Sequence, residues 1–361
     1  MSVMQNKTAW EHEAGKGENG VGWGRRATRA RGGAVLGKMA LAWRRVTQSR
    51  KMFAGLVILA LFVMVAIIGP LVDAQSPSAM SGDILQGPSP AHLLGTTQTG
   101  QDVLTQLIDS TGFTLFVSFG AATVATLIAL IVGIGGGYVG GLGGEVLSML
   151  SNCFLVIPAL PLVIVLAGYL PSKGGIALIL VLALTGWAWG ARILRAQTLS
   201  LRRRDFVLAA RVAGERGWRI LFWEILPHVM PIVASGFVFT VIFAIVTQSS
   251  LAFLGLGDVS TWSWGTMLYW AQNNDGLQSG AWWWFVPPGM CIGLVGMALA
   301  LINFGIDDFV NPRLRVVDLR QLRRAGRDRA VVSGPGRVSR TAGWHPAGDN
   351  GARDSRGGAG R

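Results

Sequence analysis

Residues 175–228 read GIALILVLALTGWAWGARILRAQTLSLRRRDFVLAARVAGERGWRILFWEILPH, and the change of character inside that stretch decides the fold class. Residues 175–191 contain no charged side chain, whereas residues 192–228 contain eight Arg. Residues 229–254 are again uncharged. A hydrocarbon core about 30 Å thick needs about 20 apolar helical residues to cross it. Two such runs on either side of a basic loop read as two membrane crossings joined by that loop.

Working outward, six stretches qualify as spans: residues 52–72, 113–135, 147–170, 175–191, 229–254 and 285–305. The chain of 361 residues is 51% hydrophobic and 14% charged. A soluble domain carries about 25% charged residues, so the sequence predicts an all-α integral membrane protein with six transmembrane helices. The fourth run is short, and Trp187 and Trp189 near its end suit the headgroup region. The remaining segments are a basic tail (1–51), a connection (73–112), a core of five spans (113–311) that includes the loop at 192–228, and a second basic tail (312–361).

Charge sets the expected direction. The tail to Lys51 holds 11 Lys and Arg, the loop at 192–228 holds eight, and the tail from residue 312 holds 12. Residues 73–112 and 255–284 hold none, and the turn at 171–174 holds only Lys173. Basic residues collect on the cytoplasmic side. Both termini and the basic loop are therefore expected in the cytoplasm, with 73–112 and 255–284 outside. The same rule accounts for the net charge of +13 without a nucleic acid partner. The tails are too polar and Gly-rich to form a core and are expected to be disordered.

Catalytic chemistry finds no support. There is no GxxxxGK[ST] loop to hold a nucleotide, and the chain is expected to have no metal and no cofactor. Glu11, His12 and Glu13 lack a second His at helical spacing. The cluster Gly133, Gly135, Gly136, Gly137, Gly140 and Gly141 follows an apolar run rather than a strand, and reads as close helix packing or an exit turn. Cys153 and Cys291 read as buried small hydrophobes. The six runs contain no Asp, Glu, Lys, Arg or His. Ion-coupled carriers keep such groups at mid-membrane, so energy is expected to enter from outside the bilayer.

The middle of the basic loop reads as two short helices meeting at a turn. Asp205 is the expected N-cap of the first, which runs through Leu208, Ala209, Ala210 and Val212. Gly214 is placed to break it. A second amphipathic stretch, residues 218–226, is expected to end before Pro227, which has no N–H to donate. Small residues on the first helix would let another protein approach closely, with Arg211 beside them.

Ala209-Ala210, three residues, Gly214, then Leu226-Pro227 resembles the EAA loop of bacterial binding-protein-dependent ABC importer permeases, in the dipeptide/oligopeptide/nickel branch and its C-type subunit. HLLGTTQTGQDVL (residues 92–104) is similar to that branch's HPLGTDxxGRDVL. SLAFLGLG (250–257), SWG (263–265), PPG (287–289) and NPRLR (311–315) follow in the family's order. The resemblance runs from the first span to Arg315. It departs where Leu208 replaces the motif Glu, Gln101 an Arg and Gln248 a Glu, and where Glu224 replaces an apolar residue.

What the resemblance implies is an ABC importer permease fold whose basic loop is a coupling helix docked on a cytoplasmic ATPase. It also implies a second permease subunit, two cytoplasmic ATPase subunits that bind ATP in place of this chain, and an extracytoplasmic solute-binding protein. The location would be the bacterial plasma membrane and the cargo di- or oligopeptides. The Trp-rich segment at 255–284 keeps oligosaccharides as an alternative, since aromatic faces stack on sugars. A secondary carrier or a membrane scaffold is the remaining class. Thr247, Gln248 and Asn303 are the candidate path residues, although helix–helix hydrogen bonding explains Asn152, Thr240 and these three equally well.

Overall fold

The computed structural model describes residues 49–72, 76–169 and 174–310, with side chains to Asp307. Lys173, the NPRLR motif and nearly all of both basic tails lie outside the described residues. Helices in chain order are α1 (Arg50–Val72), α2 (Val103–Val139), α3 (Gly141–Val156), α4 (Ala159–Tyr169), α5 (Gly175–Leu201), α6 (Asp205–Val212), α7 (Gly217–Arg219), α8 (Leu226–Phe253), α9 (Trp264–Asn273) and α10 (Trp282–Val310). Among the described residues the only β pairing is an isolated bridge between Thr96 and Asp102.

Five of these helical stretches are long and apolar enough to cross a bilayer, and α3 with α4 makes a sixth that is bent by 93°. The run at 147–170 is therefore not one continuous span. Pro158 stands in the break; it has no N–H for a helical bond, and its ring crowds the preceding turn. Other spans outrun their apolar cores. α2 starts at Val103, ten residues before the hydropathy rises, because Asp102 caps it and accepts from the Thr105 amide at 2.9 Å. α5 runs on to Leu201, so Arg192 and Arg195 stand on a spanning helix rather than in a loop. The extensions also bring Asp109 and Asp307 onto helices.

The centre of the fold is the pairing of α2 with α5, and glycine makes it possible. A Cβ on Gly133 would lie 2.6 Å from the Ala191 carbonyl oxygen, and one on Gly137 would lie 2.8 Å from the Thr198 Cβ. The backbones meet where neither position carries a side chain, which is how membrane helices gain dispersion energy without a hydrophobic drive. Trp187 belongs to this core rather than to a headgroup belt. It is 3% exposed and meets Phe154 edge-on at 5.4 Å. By contrast α1 leans on α10 through Gly55, its one buried residue, and leaves Phe53, Val57, Leu61, Ile67 and Leu71 outward.

Candidate functional site

The basic loop builds a short helix against the end of the α2–α5 pair. Val207, Ile220 and Ile225 are each 0–1% exposed and share a core with Ala129, Ala191 and Leu194. Phe206 stacks on the His228 ring at 4.8 Å, and the Arg211 guanidinium lies 5.5 Å above the Tyr138 ring at the end of α2. Arg202 reaches the same end, donating from Nη1 to the Gly137 carbonyl at 3.1 Å. α6 is thus braced from below by apolar anchors and at its side by two Arg contacts.

Its other face is open. Asp205, Leu208, Ala209 and Val212 are exposed, Leu208 at 46% and Val212 at 90%; Ala210 is half-buried. Trp218 and Trp223, at 59% and 70%, extend the same apolar display. Asp205 is the first residue of the helix rather than its cap. Arg204 takes the cap position in extended conformation, and no side chain closes the N-terminus. An acid in the first turn still complements the helix dipole.

Gly214 ends α6 as expected, with φ of +78°. Its amide donates to Arg211 O at 3.0 Å, and the Glu215 amide reaches back to Ala210 O at 3.1 Å. These two bonds form the Schellman closure, which needs a left-handed residue at this place. No atom lies within 4 Å of a Cβ built on Gly214. Glycine is therefore required by backbone angle and not by space.

The expected stop before Pro227 is not found. α7 passes into a π-helical turn, Ile220–Ile225, and then directly into α8, giving a helix that is unbroken from Gly217 to Phe253. The Leu226 amide bonds Leu221 O, five residues back. Widening the turn moves the preceding carbonyls away from the proline ring, which removes the clash that normally ends a helix. Leu226 is half-buried and Pro227 exposed at the start of α8. Loop and span consequently share one continuous helix.

At the other end of the bundle, residues 76–102 and 254–281 fold over the tops of α2, α8 and α10. His92 Nδ1 stands 2.8 Å from Asp102 Oδ2, and its Nε2 lies 3.6 Å from Asp83. This pairing was missed because the three residues are spread over twenty positions with no helical spacing. The triad ties the family-like HLLGTTQTGQDVL stretch to the start of α2. Ser263 caps α9 in a reciprocal capping box with Thr266. The sequence signal was there, a Ser before an apolar run, with Thr in the usual place of Glu.

The tryptophans of this cap are used internally. Trp264 is fully buried; its amide donates to Thr114 Oγ1 at 3.2 Å and its Nε1 to Thr111 Oγ1 at 3.3 Å. Trp270 Nε1 donates to Val259 O, Trp283 Nε1 to Thr96 O and Trp262 Nε1 to Ser78 Oγ. Trp284 is 3% exposed, whereas Trp282 is 54% exposed. These rings hold the cap together, and few faces remain for a sugar.

The three candidate path residues do not come together. Gln248 is 2% exposed and accepts from Ser118 Oγ at 3.1 Å, and Thr247 is 3% exposed in the same packed region. Gln248 Nε2 finds no acceptor among the described residues. Asn303 instead lines a cavity of about 180 Å³ between α2, α5, α8 and α10, together with Thr126, Thr240 and Ser235. The Ser235 hydroxyl donates to Asn303 Oδ1. Of the two cysteines, Cys291 is buried and Cys153 is exposed, so the sequence reading holds for one only.

Comparison with known proteins agrees with this geometry. Residues 125–316 match the family described as binding-protein-dependent transport system inner membrane component, and residues 38–88 match the N-terminal TM domain of oligopeptide transport permease C. The dipeptide transport system permease protein DppC of Bacillus subtilis is 35% identical over 281 residues, covering 76% of this chain and 85% of the relative. The oligopeptide transport system permease protein OppC of the same organism is 32% identical over 279 residues, 75% and 88% of the two chains. The OppC protein of Mycobacterium bovis is 31% identical over 283 residues, 76% and 94%. The ordered motifs, the spanning helices and these matches agree, and the chain belongs to the binding-protein-dependent transport system inner membrane component family of multi-pass membrane permeases.

Proposed function

We propose that this chain is one of two permease subunits of an ATP-driven importer of di- and oligopeptides in a bacterial plasma membrane. It supplies half of the gate and one lever. Two cytoplasmic ATPase subunits bind and hydrolyse ATP, an extracytoplasmic binding protein delivers the peptide, and no cofactor is held by this chain. Both termini and the basic loop lie in the cytoplasm, as the distribution of Lys and Arg supports. The peptide cargo rests on the names of the relatives.

The observation that carries the reading is the exposed outer face of α6, braced on buried anchors and joined by an unbroken helix to α8. Among the described residues, nothing covers Leu208, Ala209 and Val212. A groove in an ATPase that receives this face would move α6, and the continuous helix would pass that movement into the bundle. Leu208 in place of an acid makes the contact depend on shape and apolar burial. With ATP bound, closure of the ATPases would turn the spans outward and admit the peptide.

Purification of the tagged protein from its native membrane in mild detergent tests this reading. Recovery of two ATPases and a second permease supports it. Recovery of the folded chain alone favours a self-contained carrier or a scaffold.

A further inference from the structure

One stripe along α3 is polar, and the helix's further hydroxyl, Ser151, is buried and bonded to Leu147 O. Glu145, Ser148 and Asn152 recur at three- and four-residue spacing and so share a face. Together with Cys153 from α3 and Arg195 from α5 they line an open cleft of about 670 Å³. Such a volume falls in the range of small-molecule sites, about 300–1,000 Å³. Arg195 stands two turns before the end of a spanning helix, and its Nε is buried with no acceptor among the described residues. Glu145 likewise makes no ion pair or side-chain hydrogen bond among the described residues.

Charged groups in a membrane-spanning element are costly and persist where they serve a pathway. An orphaned guanidinium donor has a specific want. Its planar fork matches a carboxylate, which it holds through two parallel bonds. An unpaired carboxylate across the same cleft wants a cation.

We infer that this cleft is a peptide-binding station on the loop side of the bundle, where Arg195 takes the C-terminal carboxylate and Glu145 the free amino group. Ser148 and Asn152 offer hydrogen bonds to the peptide unit between them. The inference rests on the peptide-import reading and narrows it: the chain itself, and not only a binding protein, reads the zwitterion. Weak, open binding suits a station that must release its cargo.

Cys153 supplies the measurement, because its exposed thiol lies in the cleft while Cys291 is buried. Inside-out vesicles carrying the assembled transporter are treated with N-ethylmaleimide, and modification of Cys153 is followed by mass spectrometry. Alanylalanine is expected to slow that modification, and its C-terminal amide is not. Arg195→Gln is expected to label at the wild-type rate without peptide and to need about tenfold more alanylalanine for the same protection, the size expected for losing a charged hydrogen-bond partner. Arg195→Lys, which keeps the charge without the fork, is expected to fall between. Equal protection by the amide, full protection in Arg195→Gln, or a Cys153 that the reagent never reaches overturns the inference. Uptake of labelled alanylalanine by intact cells separates the two failures. Uptake without protection overturns the cleft alone, and absence of any peptide uptake overturns the reading beneath it.

Discussion

The two ends of the bundle both carry family-like motifs but use them in opposite directions. At the cap end, His92, Asp102, Ser263 and Trp264 spend their side chains on one another and on the tops of α2 and α8. At the loop end, Val207, Ile220 and Ile225 anchor the segment from behind, while Leu208, Ala209 and Val212 face outward. A motif turned inward holds a shape, and a motif turned outward offers a surface. Changes at the cap are therefore expected to reduce how much protein survives, and changes at the loop to reduce what each surviving molecule does.

That contrast can be broken in four places. Trp264→Ala empties a fully buried site and removes the indole donor to Thr111 Oγ1, a loss of about 3–5 kcal/mol. It is expected to lower the melting temperature in detergent steeply and to deplete the protein from the membrane. Normal abundance with defective transport would place Trp264 in the pathway and undo the comparison. Gly214→Pro comes next. Proline fixes φ near −65° and removes the amide that bonds Arg211 O, at a local cost of about 3 kcal/mol. Inserted protein is expected at normal levels with peptide uptake abolished, and full uptake would show that the Gly214 turn is no part of a lever.

Smaller effects sharpen the boundary. Asp102→Ala removes the cap of α2 and the partner of His92, at about 1 kcal/mol. A drop of a few degrees in melting is expected, with uptake per molecule unchanged. Val212→Asp alters a residue that is 90% exposed, and its effect on stability is expected within about 0.5 kcal/mol. ATPase subunits should nevertheless co-purify less well, because a charge enters the apolar face of α6. Unchanged recovery would mean that the docking surface lies elsewhere, with Trp218 and Trp223 the next residues to alter.

Much of the plan was legible in one dimension. Spans show because a bilayer selects uncharged runs of fixed length, and the loop helix shows because Ala209, Ala210 and Gly214 stand where a close approach and a left-handed turn need them. The misses share a cause. The start of α2 lay hidden in the mixed polar and apolar residues 103–112, whose helix is capped by Asp102 rather than marked by hydropathy. Arg195 reads as loop because Arg192 ends the apolar run before it, although the helix continues through both. The passage of α8 through Pro227 depends on a widened turn that no residue count reveals.

Sequence alone determined the membrane class and the family, since each rests on composition or on residues close together along the chain. Only the tertiary structure decided that Trp264 and Trp284 of the cap are internal, that His92 meets Asp102, that Gly133 and Gly137 seat α2 against α5, and that Glu145 and Arg195 face one cleft. Those facts join residues as far apart as Ser78 and Trp262. Hydropathy can report which residues leave water, but which of them then meet is fixed by packing.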